Sequence, residues 1–554
     1  MMQLFLKFEL TKIAKYYKTK SLAKIITTLL FFAVFFFIGS GIYFFFLSGF
    51  RYINVEAVDD IRLALTLFLY EVFLLVLAAI IIFSTMVSGV FSLFKGDRNA
   101  WLLSSPTYKL LPKVVFLRSF LTSLLPTLIM FLPAVLAFNK VYDLGALSLF
   151  FIIFSVILLL IVLNTVTLLS VLLIGSAYYK LSRTFTKIHF NFKSFVAILV
   201  LIVVTDLLFV WKMIAQVDLV QVFKADIASD VLSVSNIASY FYLLPTHPLA
   251  MEILYWQNMQ PLQALENVLI LGLLAALFLT LWWKVSPLFY PLWQKFQDGT
   301  SVPTSTKNGT ISKVASFQFT GGRTLALFKK ELLISSRNYK GVLWFLFLLF
   351  IWLAQVGTNV IVGNSIARHQ VDVSQKVAIL QALQFIIAIY FMSAFALRFV
   401  FPSFSVERRT AWILASAPLS FRRIFFGKYI FYITFFVALG ILMSAINTIV
   451  LTVPFINAFY SGVLFMTTVI FIVTLAMSLG AIFPNLESDD PEVISTSMPG
   501  LFFTALALIY GAFSSLVLYT ALTQGSNYWL LSYSIFTLIL VLLLLLKTPS
   551  FARR

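Results

Sequence analysis

Long apolar runs separated by short basic segments constrain this chain more than any other feature. A helix needs about 20 apolar residues to cross the hydrocarbon core of a bilayer, where every backbone polar group must be satisfied within the segment. Runs of that kind predict helices near residues 25–48, 61–93, 114–138, 147–179, 193–215 and 266–290, then 342–363, 375–402, 424–453, 460–483, 500–520 and 528–547. The expected fold is an all-α polytopic membrane protein with about 12 transmembrane helices in two sets of six. Composition agrees: of 554 residues, 61% are hydrophobic and 11% charged, whereas soluble domains carry about a quarter charged residues.

Charge sets the expected orientation. A net charge of +19 would suggest nucleic acid in a soluble protein, but here the cations lie between apolar runs. Retention of basic loops on the cytoplasmic side accounts for them, and no nucleic-acid partner is expected. Segments 1–24, 95–118, 180–193, 284–340, 407–428 and 547–554 hold 32 of the 40 Lys and Arg residues. These segments and both termini are therefore predicted to be cytoplasmic in a plasma or bacterial inner membrane, with the lysines of residues 1–24 against anionic lipid headgroups. Cys is absent and His189, His247 and His369 are scattered, so no metal site is expected and each loop histidine is read as solvated.

Two stretches are charged and amphipathic: KGDRNAWLLSSPTYKLLPK at 95–113 and FPSFSVERRTAWILASAPLSFRRIFFGK at 401–428. Each follows the second span of its set and reads as a short helix lying on the cytoplasmic face. Self-comparison extends the pattern. The N-terminal LFLKFEL matches LALFKKEL after the polar segment 294–323, pairing Lys7 with Lys329, Glu9 with Glu331, Lys15 with Arg337 and Tyr17 with Tyr339. Ala100-Trp101 pairs with Ala411-Trp412, and Pro106 with Pro418 after a one-residue slip. An even number of spans between the copies makes them parallel repeats about an axis along the membrane normal, with a central pathway between them.

The chain resembles the permeases of ABC-2-type transporters, in particular the large ABC exporter permeases that fuse two six-span halves. The likeness is carried by Phe328-Lys329-Lys330-Glu331-Leu332, by Glu407-Arg408-Arg409-Thr410 through Ala417-Pro418-Leu419-Ser420, and by Leu479-Gly480-Ala481-Ile482-Phe483-Pro484-Asn485. The resemblance implies a first permease half over 1–293, a cytoplasmic linker over 294–323 and a second half over 324–554. It implies elbow helices bearing Lys7, Glu9, Lys329 and Glu331. It also implies coupling helices bearing Asp97, Arg98, Trp101 and Pro106 in one half, and Glu407, Arg408, Arg409, Trp412 and Pro418 in the other. Those helices would seat on a cytoplasmic ABC ATPase subunit, in two copies. The chain would be the permease of an ATP-driven exporter of a hydrophobic or amphipathic substrate and not an enzyme, with ATP-Mg on the partner and no cofactor of its own. The first half departs from the pattern, since Lys95-Gly96-Asp97-Arg98 stands where Glu-Arg-Arg is expected.

The residues themselves offer little reaction chemistry. Gly427-Lys428 is the one Gly-Lys pair; it is followed by Tyr429 and lacks a glycine five residues earlier, so it is not a phosphate-cradling loop. Ionisable groups inside spans are costly and point to function. Those in question are Glu71, Asp206 and Arg398, with the neutral polar residues Asn164, Gln381, Gln384 and Asn447. Of these, Glu71, Asn164, Gln384 and Asn447 are expected to line a transport cavity. A secondary transporter of the major-facilitator type is the alternative, having two parallel halves and a loop after its second span that Gly96-Asp97-Arg98 matches loosely.

Overall fold

The computed structural model describes residues 22–56, 59–94, 111–184, 241–299, 323–337, 373–410, 420–450, 455–485, 494–495, 497–524 and 527–551, with isolated residues near 201–205 and 341–357. Every regular element among them is helical. The chain divides into two compact units, one of Met1–Tyr16 and Phe35–Lys307, the other of Tyr17–Val34 and Asn308–Arg554.

In the first unit, α1 (Leu22–Glu56) from Phe35 onward, α2 (Asp59–Phe94), α3 (Leu111–Tyr142) and α4 (Ala146–Thr184) follow one another, then α5 (His247–Gln257), α6 (Pro261–Val285) and α7 (Phe289–Gly299). Helix α4 is the hub, touching α2, α3, α5, α6 and α7. Phe50, Tyr70 and Phe138 interlock at its core, with ring centroids 5.2–5.4 Å apart. Such aromatic pairs add about 0.5–1.5 kcal/mol each beyond their buried area. Helix α3 bends by 41° between Leu124 and Thr127, where Pro126 has no N–H to continue the ladder.

The second unit contains α8 (Arg323–Arg337), α9 (Val373–Phe395), α10 (Phe421–Val450), α11 (Phe455–Ile482), α12 (Met498–Gln524) and α13 (Asn527–Phe551). Here α11 is the hub, packed against α9, α10, α12 and α13. Helix α9 does not simply stop. It widens into a π turn at Ala396–Val400 and then tightens into 3-10 turns at Phe401–Ser403 and Ser405–Thr410. Pro402 cannot donate to the Arg398 carbonyl, so the α ladder fails there and the backbone finds other partners.

Among the described residues eight helices are long and apolar enough to cross a membrane, or nine with the bent α3 pair. This is a polytopic helical membrane protein. Apolar side chains are left exposed along the helices, as at Phe36, Phe150, Leu273, Ile449 and Leu542, which water would penalise and lipid tails accept. Of the twelve expected spans, 193–215 lies almost wholly and 342–363 largely outside the described residues, and the apolar part of α1 is the shorter stretch Phe32–Ser48.

Candidate functional site: a buried charge node and a buried acid pair

The second unit gathers four charged side chains at the end of its spans. Lys428, in the first turns of α10, is 1% exposed. Its Nζ donates to Oε1 of Glu331 at 2.6 Å, to Oε1 of Glu407 at 2.7 Å and to the Ser403 carbonyl at 3.1 Å, which uses all three ammonium protons. Lys330 donates to the same Glu407 oxygen at 2.5 Å. One cation thus fastens α8, which precedes the spans, to α10 and to the 3-10 segment after α9. Burial pushes the Glu407 carboxyl up, but attraction to Lys428 and hydrogen bonds from Lys330 and Lys428 more than reverse this and hold it below the usual carboxylate range.

Local packing explains why the charges meet. A Cβ on Gly427 would lie 2.7 Å from Leu327, so glycine lets α8 and α10 approach closely one residue before Lys428. Gly480 does the same for α11: a Cβ there would lie 2.1 Å from the Phe401 carbonyl oxygen. The 3-10 segment is clamped further by the Asn485 N–H donating to Ser405 Oγ at 2.9 Å and by Phe404 stacked on Phe421 and Phe425.

The first unit holds charge differently. Glu71 on α2 is fully buried, and its Oε1 lies 2.6 Å from Nδ1 of His247, at the first turn of α5; its Oε2 has no hydrogen-bond partner. Five residues along α5, Glu252 is also fully buried. It accepts a long bond of 3.4 Å from the Trp256 indole, and burial pushes its carboxyl up to about 7. His247 is therefore not the solvated loop residue expected, because folding closes α5 against α2.

The polar residues expected inside spans are distributed as follows. Asn164 sits where α2, α3 and α4 meet. Its Oδ1 accepts from Thr85 and Ser119 at 2.8 and 2.9 Å, and its Nδ2 donates to Ser123 and the Leu160 carbonyl at 3.1 and 2.8 Å. Gln384 and Asn447 line one cavity of about 50 Å³ together with Gln381 and Ser444. Arg398 lies with its guanidinium 3.8 Å from the centre of the Trp344 ring. Of the expected elbow and coupling residues, Glu331 and Glu407 come together, and Lys329 lies on α8 beside them. Lys7, Glu9, Asp97, Arg98, Trp101, Pro106, Trp412 and Pro418 lie outside the described residues, as do the side chains of Arg408 and Arg409.

The helices and the node define a membrane protein with an internally fastened entry helix. The chain belongs to the family described as "Putative ATP-binding cassette", whose profile matches residues 18–546. Comparison with curated proteins and with solved structures finds no match. The family match corrects the expectation drawn from resemblance. The family is an ATP-binding cassette and not an ABC-2 permease family. The expectations of a permease subunit of an exporter, of a chain that is not an enzyme and of nucleotide bound only by a partner are withdrawn, and the major-facilitator alternative goes with them. The resemblance misled because its motifs were short and degenerate, whereas the profile weighs 529 aligned positions (18 to 546).

The family name implies a nucleotide, and the side chains test it. Gly427-Lys428 is within a continuous helix, its glycine is packed on Leu327, and its lysine is committed to two carboxylates and a carbonyl. A phosphate-binding lysine must instead stand at a loop of open N–H groups before a helix. This pair does not fit a nucleotide phosphate, and no step is derived through one.

Proposed function

We propose that the chain works in ABC-type transport machinery as a membrane-embedded element, with the Lys428 node as its mechanical joint. The observation that carries this reading is one buried ammonium bonded at once to the helix before the spans, the segment after α9 and, by its own backbone, α10. Movement of the 3-10 segment cannot leave α8 and α10 behind without stranding a charge. Stranding a buried charge costs about 3–5 kcal/mol.

In this reading both termini and the node face the cytoplasm, in a plasma or bacterial inner membrane, as the distribution of Lys and Arg favours. The chain is two six-span repeats of about twelve helices. The presence of a single hub helix in each unit, α4 and α11, ranked fourth in its set by sequence, supports that reading. Residues 407–418 and 97–106 form the feet that meet a cytoplasmic ABC ATPase subunit in two copies, and Lys7, Glu9, Lys329 and Glu331 lie on the entry helices. The cavity of Gln381, Gln384 and Asn447 is the polar site within the spans of the second unit.

The absence of native Cys makes the test direct. Cysteines placed at Leu332 and Val406 and spin-labelled in nanodiscs report the joint. With the ATPase subunit present, their distance distribution is expected to differ between nucleotide-free and vanadate-trapped states. Identical distributions in the two states would defeat the proposal. Photolabelling with an azido-ATP analogue, with and without that subunit, shows in the same preparation which chain holds nucleotide.

A further inference from the structure

The polar cavity of the second unit lies at the other end of α10 from the node. Asn447 stands 19 residues beyond Lys428 (428 to 447) on that helix, a rise of about 28 Å against about 30 Å for the hydrocarbon core of a bilayer. Asn447 and Ser444 line a space of about 50 Å³ together with Gln381 and Gln384 of α9. Phe385 of α9 and Phe465 of α11 complete its wall, meeting edge to face with ring centroids 5.6 Å apart.

We infer that this cavity binds the uncharged polar end, a hydroxyl or a carboxamide, of a small amphipathic molecule. Three observations support it. First, two buried polar atoms at the cavity are unanswered. Gln381 is 8% exposed and its Nε2 has no hydrogen-bond partner, and neither has Oδ1 of Asn447. One is a donor and the other an acceptor, and folded proteins answer nearly all such groups because leaving them bare is costly. A hydroxyl or a carboxamide brings both the acceptor and the donor that would answer them. The neighbouring polar groups are already engaged: Gln384 Oε1 accepts from Gln355 at 2.5 Å, and the Thr448 and Ser461 hydroxyls donate to carbonyls of their own helices. Second, no charged side chain is among the described residues that line the cavity, so an ion entering it would be buried without a counterion. Third, the space holds about three to five water-sized atoms, enough for such an end group and its first carbon. Water alone needs two to four polar partners, which the Phe385 and Phe465 rings do not supply, whereas a carbon atom packs against them. That the molecule is transported rests on the reading above; that it binds does not, since binding needs neither nucleotide nor an ATPase subunit.

The test uses the full chain in nanodiscs, without nucleotide or any other protein subunit, and three photoprobes that carry a diazirine on the same medium-length alkyl chain: the primary alcohol, the primary carboxamide and, at pH 8, the carboxylate. Residues 381–388 and 444–448 are expected to carry adducts of the alcohol or the carboxamide, and the stronger of the two identifies the end group. The carboxylate should label them about tenfold less, a charge having no counterion there. Gln381→Leu and Asn447→Leu should each lower the labelling about two- to tenfold, the factor that one neutral hydrogen bond supplies. Adducts on these residues no denser than on the lipid-facing helices of the wild-type chain would mean that the cavity holds water only, and would overturn the inference. Equal yields from the carboxylate, or labelling unchanged in both variants, would do so as well. The comparison of probes on the wild-type chain decides even where a variant fails to fold.

Discussion

The two units bury charge in opposite ways. In the second, two lysines meet two glutamates, and the central ammonium has a partner for every proton. In the first, Glu71 has a single histidine and one oxygen without a partner, and Glu252 has a long bond from an indole and the Ser155 hydroxyl but no cation. A balanced network tolerates burial because Coulomb attraction and hydrogen bonds replace water. An acid without a cation tolerates burial by keeping its proton. The second unit is thus built to stay charged and hold its geometry, whereas Glu252 in the first unit is placed to respond to protons.

The largest expected effect is at Lys428. Lys428→Met leaves Glu331 without its close cation and Glu407 with Lys330 alone and should lower stability by about 3–5 kcal/mol, read as a drop in the thermal midpoint in nanodiscs. A drop within error would erase the contrast between the units. Next is Gly480→Ala, whose new methyl meets the Phe401 carbonyl. Displacing α11 from the 3-10 segment should cost about 1–3 kcal/mol, with loss of hydrogen-exchange protection at Asn485, which donates to Ser405. His247→Ala should cost about 1–3 kcal/mol at neutral pH.

The pH dependence sharpens the comparison from both ends. Glu252 holds its proton to about 7 when folded but only to about 4.3 when unfolded. Folding therefore takes up a proton between those values, and stability declines as pH rises through that window, by up to about 4 kcal/mol. Glu252→Gln should flatten that slope in a urea titration at pH 5 and pH 8, and an unchanged slope would remove Glu252 as its source. Glu407 has the opposite sign. Its lowered value means that the node's contribution is fully present above the ordinary glutamate range and lost only as pH falls through the lowered value. The smallest expected effect is therefore that of Glu407→Gln on the pH 5 to 8 slope, which should be none.

The helical membrane fold was legible because the apolar runs are long: α2, α4, α6 and α9 to α13 all fall on expected spans. Part of the candidate site was legible too. Glu331 and Glu407 stood out as charges in amphipathic stretches, and the structure joins them. Lys428 was read as the basic end of the 401–428 stretch and as part of a failed phosphate loop, whereas the signal of a buried joint was an ammonium among the aromatics of FFGKYIFY. The Glu71–His247 pair spans 176 residues, and such a separation leaves no periodicity in a single sequence. Family membership was misjudged for a related reason: short motifs fix local chemistry but not descent.

The claim on which the account rests is that one lysine holds the entry helix and the segment after α9 as a single body. Spin labels at positions 332 and 406 measure this without nucleotide or partner. A narrow distance distribution in the otherwise native chain that becomes broad in Lys428→Met is the predicted result. A distribution of the same width in both would show that the node does not hold these elements together.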